Sequence, residues 1–510
     1  MTDLHRNDIV RARQLASGGD SEAAVALLDG LLRASPDDPD LLFALGVIAR
    51  SAGLLDEADK AFRAVLDQRP NTVEAVVNLA GVLVAKGNPA PAITILRRLH
   101  QATPALTPAA LGLAAALLAA EDLDGALAVY DRLLGQRPDL AQAHANRAEV
   151  LNRLGRYPEA FVAIEAAYRL APVDPRVALN RAFALLMADR LEEGYAAYEA
   201  RLEPALPSAP LRRNLEVPRW TAGPPPGLLL VAAEQGLGDE LRFAASVARL
   251  LALGAGVIVE VEPRLVGLFR RSLPEASVVP YDRRRSGVRP IFDYGWLADA
   301  APAPDAWIEA GSLPLRLGPP RTEPIAPGGY LTPDPDRVTA FRDRLRAGAP
   351  ASTLVGIVWG SSRQGSDRSR YYAPLDAWGP ILGLSGFRFV DLQYTASGAD
   401  RAAIRDRFGV EVTDVDFLDK RNDLDGAAAL AASLDAVVGM SSSVTVLAGA
   451  SGTPTIEILR ERAWLPKVGG RDGYLGPIRL VEAEPPGNWR DAMERAAALL
   501  VGLAGSGRPA

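Results

Sequence analysis

Pro36, Pro70, Pro104, Pro138 and Pro172 stand 34 residues apart, and this period constrains the first two hundred residues more tightly than any other feature of the chain. Turn positions keep the same step at Gly19, Gly53, Gly87, Glu121, Gly155 and Asp189. Small residues follow it at Ala24, Ala58, Ala92, Ala126, Ala160 and Gly194, where a second helix must come close to the first. Leu45, Leu79 and Leu113 mark one apolar position on the first helix. A helical hydrophobic pattern, a turn, a second helix and a terminating proline make one antiparallel helix pair. Such a pair can bury its apolar face only against a neighbour, so the period predicts an all-α solenoid of six repeats.

Spacing and composition of these units resemble the tetratricopeptide repeat family over residues 3–206, and the solenoid domain is set at 1–206. Asn78, Asn146 and Asn180 share one repeat position, filled elsewhere by Ala44 and Gly112. The resemblance puts that position on the inner groove. An amide there gives and takes hydrogen bonds with an extended peptide backbone, which would make the three residues an acceptor-peptide groove. The competing reading is that each amide bonds within its own repeat.

Bulk properties narrow the function. Lys and Arg number 56 against 62 Asp and Glu, a formal net charge of −6 with no polybasic block, which argues against nucleic acid as a partner. No apolar stretch reaches the length of a membrane span and the N-terminal residues form no apolar leader, so the expected compartment is the cytoplasm. There are no cysteines, and the three histidines, His5, His100 and His144, all precede residue 150. Chemistry in the C-terminal 300 residues must therefore use carboxylates, hydroxyls, Lys, Arg or backbone dipoles, and no metal site is expected.

After Leu202 the composition changes. Residues 207–226 are proline-rich without helical period and read as a linker that wraps rather than a flexible tether. Beyond them, apolar β-rich runs at Leu228–Ala232, Val257–Val261, Val355–Trp359, Phe387–Leu392, Ala436–Gly439 and Thr455–Leu459 alternate with helical stretches such as Glu240–Leu253 and Asp425–Ser433. Continuous apolar strands alternating with helices predict parallel sheets covered on both faces. A Pro/Gly-rich stretch at Pro319–Gly329 divides this region into two Rossmann-like halves, 227–330 and 331–510, the second ending in an amphipathic helix, Trp489–Leu503.

Two motifs lie where a strand hands over to a helix, the place where open α/β sheets bind ligands. In Glu234-Gln235-Gly236-Leu237-Gly238-Asp239 the glycines admit a close backbone approach, and Asp239 is either a proton acceptor or a helix cap. In Gly439-Met440-Ser441-Ser442-Ser443, three hydroxyls precede the helix Val444–Ser451. That arrangement suits an anion such as a diphosphate, or a polar cap.

The order of these motifs, with Val358-Trp359-Gly360-Ser361, Asp391-Leu392-Gln393-Tyr394 and Ser441–Pro454, resembles the GT-B glycosyltransferases. More narrowly, it is similar to bacterial proteins that fuse tetratricopeptide repeats to a module related to heptosyltransferases and O-GlcNAc transferases. The run of residues 416–425, DFLDKRNDLD, and the Gln393-Tyr394 pair look most like the alphaproteobacterial flagellin glycosyltransferases. The resemblance implies a GT-B module after the solenoid and a metal-independent transferase without cofactor, acting on a nucleotide-sugar co-substrate. It implies Asp239 as general base, with Gly236, Gly238, Trp359, Gly360, Ser361, Arg370, Gln393, Ser441, Ser442 and Ser443 contacting the donor. Arg363, Arg368 and Arg370 are then available to neutralise a leaving phosphate.

One departure bears on the donor. Ser441 and Val446 occupy a stretch where many relatives carry Asp and His, and the histidines of O-GlcNAc transferases have no counterpart here. This argues against UDP-GlcNAc, and the resemblance to the flagellin glycosyltransferases implies a CMP-nonulosonate, such as a pseudaminic acid donor, in its place. The expected activity is O-glycosylation of Ser or Thr on an acceptor protein, flagellin, docked by the repeats, with self-association through the solenoid left open. The alternatives are a non-catalytic repeat scaffold with a degenerate GT-B module, and transfer to a lipid or saccharide, for which a peptide groove has no use.

Overall fold

The 34-residue period becomes structure through left-handed turns. In the computed structural model, which describes residues 3–17, 20–234, 236–286, 289–347, 352–360, 370–395 and 397–505, the turn positions Gly53, Gly87, Glu121, Gly155 and Asp189 all have φ between 60° and 78°. Glycine enters that region without strain, and Glu121 and Asp189 hold it because the rest of the repeat dictates the turn. The small residues sit where the paired helices meet. Ala24, Ala58, Ala92 and Ala126 are fully buried and Ala160 nearly so.

The chain divides into two compact units, Met1–Ala171 and Pro172–Ala510. Five helix pairs make up the described part of the first: Asp3–Ser17 with Ser21–Ala34, Pro39–Ser51 with Leu55–Gln68, Val73–Ala85 with Pro89–Ala102, Thr107–Ala119 with Leu123–Gln136, and Ala141–Arg153 with Tyr157–Leu170. Several starts are capped by aspartates. Asp38 accepts from the backbone N–H of Asp40 and Leu41, and Asp122 from that of Gly125. The sixth pair, Pro175–Met187 and Leu191–Tyr198, belongs to the second unit, so the structural division falls one repeat before the composition change at Leu202.

The second unit contains three sheets built from β1 (Leu211–Arg213), β2 (Leu228–Ala232), β3 (Gly256–Val261), β4 (Ser277–Pro280), β5 (Asp282–Ser286), β6 (Arg289–Asp293), β7 (Ala306–Glu309), β8 (Thr353–Val358), β9 (Phe387–Asp391), β10 (Val412–Thr413), β11 (Ala436–Met440), β12 (Thr455–Leu459), β13 (Lys467–Val468), β14 (Arg471–Asp472) and β15 (Ile478–Glu482). The first sheet is parallel in the order β4-β3-β2-β7. The largest runs β10-β9-β8-β11-β12-β15-β14-β13, parallel through β15 and antiparallel beyond. Numbered from β8, its six parallel strands follow 3-2-1-4-5-6, the doubly wound order of dinucleotide-binding sheets, and the first sheet follows 3-2-1-4. Both therefore have a crevice at the carboxyl ends of their strands where the winding reverses. The third sheet, β1-β6-β5, incorporates part of the proline-rich segment: β1 pairs with β6, and Trp220 donates its backbone N–H to Trp307. That segment wraps onto the first sheet, as its composition predicts.

One helical expectation needs correction. Glu240–Leu253 is not one helix but two, Leu237–Ala244 and Val247–Ala252, with Ser246 buried between them. The terminal helix, Trp489–Gly505, lies over β11, β12 and β15 of its own half. Ala492, Met493, Ala496 and Leu500 on its inner face are fully buried, and that apolar stripe is satisfied by the sheet beside it.

The sheets are tied by one buried guanidinium. Arg242, on the helix after β2, donates through Nη2 to both oxygens of Glu457 on β12 at 2.8 Å and through Nε to Asp472 on β14 at 2.6 Å. All three side chains are at least nine-tenths buried. Removing one member of such a cluster strands the others as uncompensated charges. Arg242→Ala is expected to lower unfolding free energy by about 3–5 kcal/mol in urea denaturation; a change below about 1 kcal/mol, the range of an exposed ion pair, would contradict this assignment.

Candidate functional site

The carboxyl ends of β2, β3, β9 and β11 open into one cleft of about 820 Å³ within the second unit. The two strand-to-helix motifs face each other across it. A Cβ built on Gly238 would stand 3.8 Å from Cα of Ser443 and 4.0 Å from its backbone nitrogen, so the Gly-rich turn approaches the serine turn to within the reach of a single added methyl group. Gly236, Gly238, Asp239, Ser441, Ser442 and Ser443 all line the cleft. The helix Leu237–Ala244 has Gly236 as its N-cap, so Asp239 stands in the first turn and not at the cap. Ser442 does cap the helix Ser443–Ala450: its Oγ accepts from the Thr445 N–H, and its own N–H donates to Thr445 Oγ1 at 3.1 Å. Ser441 is exposed and donates its hydroxyl to Glu457 Oε1 at 2.5 Å, which joins the serine turn to the carboxylate that Arg242 holds.

Other expected donor contacts are committed elsewhere. Trp359 is buried and donates its indole N–H to Asp400 at 3.0 Å. Gln393 is 4% exposed, and with its amide turned it both donates to the Gly360 carbonyl and accepts from the Gly360 N–H. Arg370 lies over the Tyr371 ring, 4.9 Å from the centroid, and bonds the Tyr371 hydroxyl. None of Trp359, Gly360, Arg370 and Gln393 lines the cleft. Ser361, Arg363 and Arg368 lie outside the described residues. In the repeats, Asn78 donates to the carbonyl of Glu74 in its own helix at 2.7 Å and Asn146 bonds Tyr130. Asn180 is exposed.

Sequence reasoning missed the basic wall of the cleft. Arg264 follows β3, Arg283 and Arg285 alternate along β5, and Lys420 and Arg421 precede the helix Leu424–Ser433. Arg264 donates to Glu262 at 2.8 Å and to the Arg421 carbonyl at 2.6 Å. Arg283 lies over the Tyr281 ring at 4.7 Å, and Tyr281 donates its hydroxyl to Glu262 at 2.6 Å. Burial pushes the Glu262 carboxyl up, but the bonds from Arg264 and Tyr281 outweigh it and hold the group below the usual range. Lys420 donates to the Asp391 carbonyl at 2.8 Å, and burial lowers its ammonium pKa. The available signal was alternation within Asp282–Ser286, which presents every second arginine on one face. Among the described residues, no three His, Cys, Asp or Glu side chains are arranged to hold a metal.

Beneath the Gly-rich turn, burial pushes the Glu240 carboxyl up to about 8 and that of Glu260 up to about 7. Glu240 accepts the Glu262 N–H at 2.7 Å, and Glu260 accepts from Tyr294 and the Ala233 N–H at 3.0 Å.

Tetratricopeptide repeat models match residues 15–83, 49–116 and 111–175. Protein FlbA of Caulobacter vibrioides is 32% identical over 504 residues, covering 95% of this chain and 81% of that protein. Among solved structures, a thermophilic tetratricopeptide repeat protein of Thermus thermophilus aligns with 36% of this chain and 98% of its own at 24% identity and a TM-score of 0.32. PilW, described as a type IV pilus biogenesis factor, aligns with 40% of this chain and 94% of its own at 19% identity and a TM-score of 0.35. Among the described residues, no helix is long and apolar enough to cross a membrane.

The Glu240 carboxyl sets a pH test. Its ordinary value is 4.5, so between about 4.5 and 8 the folded protein holds a proton that the unfolded chain releases. The contribution is complete below the lower value and lost as pH rises through the upper. Glu240→Gln retains the acceptor for Glu262 and cannot ionise. Melting temperatures of wild type and variant should converge near pH 4.5 and separate in the variant's favour up to pH 8; parallel curves would contradict the buried, protonated assignment.

Proposed function

The chain belongs to the family of Protein FlbA, and from that premise we propose that it is a protein O-glycosyltransferase of the GT-B type. The observation that carries the reading is the close approach of Gly238 to Ser443, with Asp239 and the serine turn lining one cation-rich cleft at the carboxyl ends of parallel strands from two sheets. In this reading Asp239 takes the proton from an acceptor hydroxyl as the oxygen attacks the anomeric carbon. The sugar–phosphate bond breaks, and the departing phosphate is received by the basic wall and the amides of the helix beginning at Ser443.

The proposed donor is a CMP-nonulosonate, and no metal or cofactor is required, since cationic side chains supply the charge stabilisation. The proposed acceptor is a Ser or Thr of flagellin in the cytoplasm, inferred from the resemblance carried by residues 416–425 and Gln393-Tyr394. Tetratricopeptide repeats are protein-binding solenoids, which fits a polypeptide acceptor better than a lipid or a free saccharide.

Co-expression of flagellin, this protein and a nonulosonate-producing pathway, read by intact mass, tests the proposal. Flagellin should gain sugar-sized increments with wild type and none with Asp239→Ala, provided that variant keeps the wild-type melting profile. Unmodified flagellin that still binds the wild-type protein, with CMP-, UDP- or GDP-sugars supplied, would favour the scaffold reading.

A further inference from the structure

The cleft is electropositive in a chain whose formal net charge is −6. Six lining residues are Lys or Arg and three are Asp or Glu. Arg242 is consumed by Glu457 and Asp472, and Glu234 by a pair of bonds from Arg201 at 2.9 and 3.0 Å. The remaining five cations face two carboxylates, Asp239 and Glu262, and the one negative charge left over in the Arg242 cluster, an excess of two positive charges on low-dielectric walls. An anionic ligand is what such a wall concentrates.

Its geometry is most specific at β5. Residues two apart on a strand share a face, and Arg283 and Arg285 line the cleft while Arg284 does not. Arg284 instead reaches Asp282, at 3.5 Å, on the other side of the strand. Antiparallel pairing with β6 fixes this register, with Arg283 opposite Phe292 and Arg285 opposite Pro290. Stacking on Tyr281 orients the Arg283 guanidinium, whereas Arg285 is exposed. Two guanidinium forks on one rigid strand match the tetrahedral oxygens of a phosphate better than a single planar carboxylate.

We propose that Arg283 and Arg285 form the phosphate-binding wall of the cleft, taking the phosphate of a nucleotide from the side of the third sheet. The inference rests on the transferase reading only for the identity of that phosphate as part of a donor.

Isothermal titration of the full-length protein with CMP and UDP, and with cytidine and uridine as phosphate-free controls, tests it. The variants are Arg283→Ala with Arg285→Ala, the same pair changed to Gln to keep side-chain length, and Arg284→Ala as a like-charged neighbour on the opposite face. The expected result is nucleotide binding weakened at least about tenfold by either double variant and less than about twofold by Arg284→Ala. Salt should weaken wild-type binding more than that of the double variants.

The proposal is overturned if neither nucleotide binds the wild type, if the double variants bind as wild type does, or if Arg284→Ala costs as much as the pair. Double variants that keep nucleotide affinity but lose flagellin binding would make the wall a polypeptide surface and overturn it likewise. Flagellin mass from the same variants separates the two readings. Arginine-dependent nucleotide binding without sugar transfer leaves the site standing and removes the transferase; transfer that persists in the double variants does the reverse.

Discussion

The architecture of the second unit turns on Arg242. Its helix leaves the first sheet, yet its guanidinium is spent on Glu457 and Asp472 of the largest sheet. One cation between two buried carboxylates leaves a negative charge in a dry interior, and the surroundings meet it with donors. Ser441 gives its hydroxyl to Glu457, and the N–H groups of Tyr474 and Leu475 point at Asp472. Asp239 lies three residues before Arg242, on the same side of the helix. The bond that joins the sheets therefore also sets the distance between Asp239 and the serine turn.

The sixth helix pair shares in this construction. Tyr195 bonds the hydroxyl of Tyr474, and Phe183 packs edge-on against Trp464 at 5.4 Å, so the last repeat and the largest sheet belong to one apolar core. Just beyond the pair, Arg201 grips Glu234, which also accepts the Gly311 N–H at 2.7 Å. Glu234 opens the Gly-rich turn, and a Cβ on Gly311 would collide with its oxygen, so only glycine lets the backbone close over it. A repeat of the solenoid thus contributes directly to the scaffold of the cleft.

Much of this was legible in the chain. The repeats announce themselves because the same left-handed turn and the same close helix contact recur at fixed spacing, and each β-rich run singled out in the second half became a strand. That Asp239 and Ser441–Ser443 line a cleft was legible because strand-to-helix turns at carboxyl ends are where parallel sheets open. What failed was non-local. Trp359 and Gln393 carry polar atoms that burial obliges them to satisfy, and their partners, Asp400 and Gly360, cannot be named from local pattern. The arginines of β5 drew no notice because a polar strand has no apolar signature. Nothing near Arg242 points to Glu457, 215 residues away.

The Gly-rich turn and the serine turn line a single cleft. The chain contains no cysteine, so a pair introduced there has no competitor. A Cβ on Gly238 would stand 3.8 Å from Cα of Ser443, so the two Cα atoms lie close enough for a disulfide to span them. Gly238→Cys combined with Ser443→Cys should oxidise under mild conditions to an intramolecular disulfide, with both thiols lost to labelling in the folded monomer and recovered on reduction. Two thiols that stay fully reactive in folded protein under the same oxidant would contradict the account at its foundation.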